Sequence, residues 1–144
     1  MNYERTIEID TDAAAVWAVM EDVDHWPDWT PTIKSVALSS GRVVGPGSTA
    51  LIRQPALPPA TWQVTAYEPG RSFTWETKVR GVKMTGGHTV VPLAGGRSRV
   101  TLLITGGGIL SRVFGPLINR PVRKAVDTEA ESLKKHVEAH VRRP

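Results

Sequence analysis

From residue 121 to 141 the apolar positions Val122, Val126, Ala130, Leu133, Val137 and Val141 recur at spacings of four, four, three, four and four. At 3.6 residues per turn they fall in one arc about 100° wide, which predicts a helix with one buried face. Lys124, Asp127, Glu131, Lys134, Lys135, Glu138 and Arg142 fill the opposite side. Glu131 stands within reach of Lys134 and Lys135, and Lys134 within reach of Glu138. Pro121 suits a first helical position, where its missing N–H has no partner to lose. Such a rod cannot bury its own stripe, so the rest of the chain is expected to supply the surface beneath it.

Elsewhere the pattern alternates. Tyr3–Asp10 puts Arg5, Ile7 and Ile9 on one face, a half-buried strand. Thr11 or Asp12 can cap a helix through Ala13, Val16, Trp17, Val19 and Met20. Asp24–Trp29, interrupted by Pro27, predicts a turn or single helical turn that places two tryptophans. Strands follow at about Ile33–Leu38 and Ser48–Gln54, joined by Gly45-Pro46-Gly47. Ala60–Tyr67 and Arg71–Val79 flank a Pro69-Gly70 turn. A two-residue loop there puts Trp62, Val64, Ala66, Phe73, Trp75 and Thr77 on one face, and Gln63, Thr65, Tyr67, Ser72, Thr74 and Glu76 on the other. Gly81-Val82 fits a type II′ turn, which sets Val79 opposite Met84, Trp75 opposite His88 and Phe73 opposite Val90. His88 then lies on the apolar face. A three-residue loop at Ala94-Gly95-Gly96 turns Val100, Leu102 and Ile104 inward as well. Gly106-Gly107-Gly108 ends the sheet. Ile109, Leu110, Val113, Phe114, Leu117 and Ile118 lead into the terminal helix, with a break expected near Pro116–Pro121. The order is strand, helix, short helix, six strands, long helix. Strands and helices segregate, so the class is α+β with an antiparallel sheet.

Bulk properties narrow the partners. A chain of 144 residues is most simply one domain, residues 1–144. It has no cysteine, which excludes disulfides and thiol catalysis and fits a cytoplasmic location. No basic segment followed by an apolar run opens it, and no run of 18 apolar residues occurs, so neither a signal peptide nor stable membrane insertion is expected. The net charge of +4 is scattered apart from Arg120–Lys124 and Arg142-Arg143, which argues against a nucleic-acid surface. A monomer and a homodimer are equally compatible with the sequence.

Certain residues carry more than the order of elements. They are Val23-Asp24-His25-Trp26-Pro27-Asp28-Trp29-Thr30-Pro31, Gly45-Pro46-Gly47-Ser48, Trp62-Gln63-Val64-Thr65 through Glu68-Pro69-Gly70-Arg71, Phe73-Thr74-Trp75-Glu76, and Glu129-Ala130-Glu131-Ser132-Leu133-Lys134. In this order, behind the opening strand and Ala-rich helix, they resemble the START-like, or SRPBCC, superfamily with its Bet v 1-like fold. The likeness is to the polyketide cyclase/dehydrase and lipid-transport group and spans nearly the whole chain. It implies a helix-grip fold: a curved antiparallel sheet of about seven strands wrapped around the long C-terminal helix, two short helices after the first strand, and an apolar cavity between. Members bind lipids, polyketides, hormones or other apolar small molecules, and some are enzymes. The superfamily shares no universal catalytic residue, so the catalytic residues are unknown from this likeness.

With that cavity in view, Trp26, Trp29, Trp62 and Trp75 read either as core filler or as its lining. His88 is either a core histidine bonded to a neighbour or a polar anchor and general acid/base. Arg53 lies on a strand whose two faces are equally apolar, so it either meets an acidic ligand group or faces solvent. Phe114 and Leu117, ahead of the terminal helix, complete the expected ligand-binding set. Glu129, Ser132 and His136 run along one flank of that helix, with Glu129 in reach of the cavity mouth. His136 and His140 have zinc-binding spacing, but Glu138 sits wrongly for a zincin and no third ligand is evident. No metal or other cofactor is expected. Gly45-Pro46-Gly47-Ser48-Thr49-Ala50 matches a dinucleotide fingerprint, yet it leads into a strand and contains proline. The preferred reading is a carrier or sensor of a hydrophobic lipid, polyketide or aromatic compound. The alternative is a cyclase/dehydratase-type enzyme in which His88 moves a proton and Arg53 steadies an enolate. A third is a partner-binding module that uses Ile109–Ile118.

Overall fold

The computed structural model describes residues 2–39, 41, 43–55, 57–79, 81–107 and 111–141, and the backbone alone of 57, 111–118 and 141. Seven antiparallel strands form one sheet: β1 (Asn2–Ile9), β2 (Ser35–Leu38), β3 (Thr49–Gln54), β4 (Leu57–Glu68), β5 (Ser72–Val79), β6 (Val82–Leu93) and β7 (Arg97–Gly107). Their spatial order is β1-β7-β6-β5-β4-β3-β2, so the first strand pairs with the last. Between β1 and β2 lie helix α1 (Ala13–Glu21) and a 3₁₀ helix (Val23–Asp28), and α2 (Ser111–Val141) closes the chain. This is the helix-grip arrangement expected from the sequence.

The apolar arc of α2 is the face that packs on the sheet. Val122, Val126, Ala130, Leu133 and Val137 are all buried, and the side chain of Val141 lies outside the described residues. The polar flank clasps β1. Lys134 Nζ donates to the Glu8 carbonyl at 2.9 Å and to Glu138 at 2.6 Å, and the Asp10 N–H donates to Glu138 at 2.9 Å. Glu131 pairs with Arg5 across the interface at 3.3 Å, whereas a partner on its own helix was expected. The helix also starts ten residues before Pro121, at Ser111, with no break at Pro116–Pro121. The two prolines each remove one N–H donor, and the turns on either side carry the helix past them.

Asp12 is the cap of α1, its carboxylate accepting from the Ala15 N–H at 2.8 Å. The β6–β7 loop has three residues, with Leu93 opposite Arg97, and Val100, Leu102 and Ile104 are buried as expected. Two hairpins differ from the sequence reading. The β5–β6 turn comes one residue earlier, with Val79 opposite Val82 and Gly81 at φ +78 just before β6. The register therefore moves by two, so every side chain keeps its face but changes partner: His88 stands opposite Phe73, and Trp75 opposite Gly86. The β4–β5 loop has three residues, with Glu68 opposite Ser72 and Gly70 at φ +75. A bulge at Thr65 then brings Val64 opposite Trp75 but Ala66 opposite Thr74. One extra residue reverses the alternation beyond it. Ala66 is exposed and Tyr67 turns inward against Trp17, with ring centroids 6.0 Å apart, the reverse of their expected sides.

Among the described residues no helix is long and apolar enough to cross a membrane.

Candidate functional site: an aromatic chamber under the long helix

Where α2 crosses the sheet it leaves an inner chamber of about 80 Å³. Trp62 of β4, Trp75 of β5 and His88 of β6 project into it because each occupies an inward position of its strand. Trp26 enters from the 3₁₀ helix, its indole N–H anchored on the Met20 carbonyl at 3.1 Å. Trp26 lies 5.5 Å from both Trp75 and His88 between ring centroids, and Trp62 lies 5.7 Å from Trp75. Gly86 makes room for this group: a Cβ there would sit 3.0 Å from Trp75 Nε1.

His88 is 6% exposed and stacks on Phe73 at 4.3 Å and 13°. Burial pushes its imidazole down to about 4, against the opposing effect of the Phe73 carbonyl, so it is neutral at pH 7. That carbonyl, 3.4 Å from Nδ1, can only accept, which assigns the ring proton to Nδ1 and leaves a lone pair on Nε2. Trp62 is 6% exposed, and its indole N–H is covered with no acceptor. An unpaired buried donor costs about 1–3 kcal/mol. On the helix side, Glu129 lines the same chamber, and burial pushes its carboxyl up to about 7.

A larger outer space of about 460 Å³ lies beside the chamber, bounded by Pro31, Pro55, Pro121 and Lys124 among others. Thr32, Gln54 and Ala125 line both spaces, which therefore adjoin at these three side chains.

The expected site residues divide. Trp26, Trp62, Trp75 and His88 converge on the chamber. Trp29 does not line it: it lies half-buried in a surface groove of about 300 Å³, stacked 6.2 Å from His136, with His25 and His140 nearby. Arg53 is exposed on the opposite face of β3 from the buried Ala50 and Ile52, and its neighbour Gln54 takes the inner position. The side chains of Phe114 and Leu117, and the Ile109–Ile118 surface, lie outside the described residues. Gln54 and Thr32 were not anticipated as lining. Gln54 follows from strand alternation once Ile52 is known to face inward. Burial and the neighbouring His140 push His136 below the usual histidine range while Asp28 opposes them. Among the described residues no cluster of three His, Asp or Glu is placed to hold a metal ion.

No curated protein sequence matches the chain significantly. Solved structures do match in fold. They include a START superfamily protein from Mycobacterium smegmatis, 18% identical, covering 96% of this chain and 97% of its own, with a TM-score of 0.70. The norcoclaurine synthase of Thalictrum flavum, a point mutant bound to a transition-state analogue, is 16% identical, with 97% and 95% covered and a TM-score of 0.72. The di-domain ARO/CYC protein StfQ of the steffimycin biosynthetic pathway is 11% identical, with a TM-score of 0.77 over 97% of this chain and 51% of StfQ. Residues 1–138 match the family described as polyketide cyclase / dehydrase and lipid transport, and the chain belongs to that family.

Proposed function

We propose that this member of the polyketide cyclase/dehydrase and lipid-transport family is a carrier or sensor that holds a hydrophobic small molecule under α2. The observation that supports the reading is the convergence of Trp26, Trp62, Trp75 and His88 on a chamber that adjoins a larger outer space at Thr32, Gln54 and Ala125. On this reading an apolar compound enters between Thr32, Gln54 and Ala125 and keeps its bulk in the outer space, where burying apolar area drives binding. Substituting Ala125→Phe fills the place where the two spaces adjoin. Native mass spectrometry is expected to find a copurifying compound on the wild-type protein and to lose it from Ala125→Phe. Recovery of that compound at unchanged mass after denaturation marks a carrier. Full occupancy of Ala125→Phe overturns the site.

A second reading has its own support, because two titratable groups with opposite readiness line one chamber. The His88 Nε2 lone pair can take a proton from carbon beside a carbonyl. Glu129 can then protonate the departing hydroxyl, so that a C–H and a C–O bond break, a C=C bond forms and water leaves. Arg53 has no part in this, since it faces outward. Loss of one water from the bound compound, dependent on both His88 and Glu129, selects this reading over the carrier.

A further inference from the structure

His136 and His140 take no part in the chamber. They stand four residues apart on α2, so they are neighbours on one face of the helix, one turn from each other. Their ring centroids are 4.2 Å apart. Each ring is held in its own way. His140 Nδ1 lies 3.0 Å from the His136 carbonyl, which can only accept, so the ring proton sits on Nδ1 and a lone pair on Nε2. A histidine that gives one N–H to a backbone carbonyl is oriented to offer its other nitrogen to a metal ion. The ring of His136 stacks on Trp29 at 6.2 Å and 23°. Stacking occupies the face of that ring and leaves its edge, where both nitrogens lie.

The surroundings agree with this pair. The two histidines line the surface groove of about 300 Å³ between α1, the 3₁₀ helix and α2. That is room for an ion and several waters at about 30 Å³ each. Asp22 and Asp28 line the same groove, and its described lining residues include no lysine or arginine. His25 Nδ1 is already bonded to Asp22 at 2.9 Å. Among the described residues no third His, Asp or Glu is placed to complete a shell made by protein alone. We propose that His136 and His140 form a two-imidazole site for a late first-row divalent cation, copper(II) ahead of zinc(II), with water in the remaining positions. Imidazole suits these ions, affinity along the row peaks at copper(II), and a tetragonal copper(II) shell of nitrogen and water oxygen needs no third side chain. Calcium and magnesium take oxygen ligands and gain nothing from the pair. Asp28 adds negative charge beside the ion. The site is separate from the chamber and stands or falls without the cavity reading.

Copper(II) titrated into the chelator-treated full chain tests it, followed by electron paramagnetic resonance and by tryptophan fluorescence. One equivalent is expected to give a tetragonal spectrum with couplings from two imidazole nitrogens. It is also expected to quench Trp29, because the paramagnetic ion sits beside the ring that Trp29 stacks on. Trp29→Phe removes that quenching and keeps the spectrum. His136→Gln and His140→Gln each weaken binding at least about tenfold, since losing a mere hydrogen-bond partner of a ligand already costs about 10–100-fold. His140 is exposed, so its variant leaves the core untouched. His25→Gln is expected to leave both affinity and spectrum unchanged. A spectrum without imidazole couplings, full affinity in His140→Gln, or a loss in His25→Gln as large as in His140→Gln overturns the inference.

Discussion

Trp26 and Trp29 stand three residues apart on one short segment with ring centroids 5.7 Å from each other, yet they do different things. Trp26 is 2% exposed and closes the chamber against Phe73, Trp75 and His88. Trp29, the residue after the 3₁₀ helix, turns outward and stacks on His136 in the surface groove. Each tryptophan thus has a histidine partner. The inner histidine is buried and held neutral, whereas the outer one has Asp28 and His140 pulling it in opposite directions. Residue type alone does not make a site. The same two side chains become a chamber wall on one side of the segment and a groove on the other.

The sharpest way to break this comparison is to truncate both rings. Trp26→Ala is expected to cost about 3–5 kcal/mol in urea melts, as for other buried large aromatics, and Trp29→Ala less than half of that. Equal losses would place both tryptophans in one core and end the distinction.

The two chamber acids sharpen it next. His88 lies at about 4 against an ordinary 6.5, so its contribution to stability is complete above pH 6.5 and is lost as pH falls towards 4. Glu129 lies at about 7 against 4.5, so its contribution is complete below pH 4.5 and is lost as pH rises towards 7. Each shift is worth on the order of 3 kcal/mol, and between pH 4.5 and 6.5 the two slopes oppose. Melts across that window are expected to be nearly flat for the wild type. Glu129→Gln uncovers a loss of stability on acidification, and His88→Gln a loss on raising the pH. His136→Gln, in the groove, leaves the profile nearly flat. Variants of His88 and Glu129 that both keep a flat profile would show that neither titrates as its burial requires.

The smallest expected effect tests inside against outside at the Thr65 bulge. Ala66→Lys is expected to change stability by less than about 0.5 kcal/mol, and Tyr67→Lys to cost about 1–3 kcal/mol, because it removes the ring packed on Trp17. The opposite order would mean that β4 alternates without interruption.

What was legible in the sequence follows from what periodicity measures. The stripe from Val122 to Val137 and the run Val100, Leu102, Ile104 report burial directly, and both are buried. His88 kept its face despite a misplaced turn because the error was two residues, and a strand repeats every two. The bulge at Thr65 was not legible, since one extra residue leaves no mark in composition. Arg53 and Gln54 could not be told apart because Thr49–Gln54 carries apolar residues on both faces, and only pairing with β4 fixes which side is inner. Trp26 and Trp29 lie where no alternation exists. Glu129 falls about 20° outside the edge of the helical arc, so a small rotation of α2 decides whether it meets water or the chamber.

The pairing of β1 with β7 has a consequence for the order in which the molecule can assemble. Asn2 finds its partner in Thr105, and Ile9 in Ser98. At synthesis rates of about 5–20 residues per second, the first strand waits on the order of 5–20 s before its partner exists. During that interval Ile7 and Ile9 have no sheet to join, while β2 to β6 can pair neighbour with neighbour as each emerges. Closing this longest loop is the slow, entropically costly event in a topology otherwise built from local hairpins. Until Ser98–Thr105 has emerged, Ile9 has no strand to be buried beside, so the core at this edge of the sheet is completed only when the seventh strand arrives.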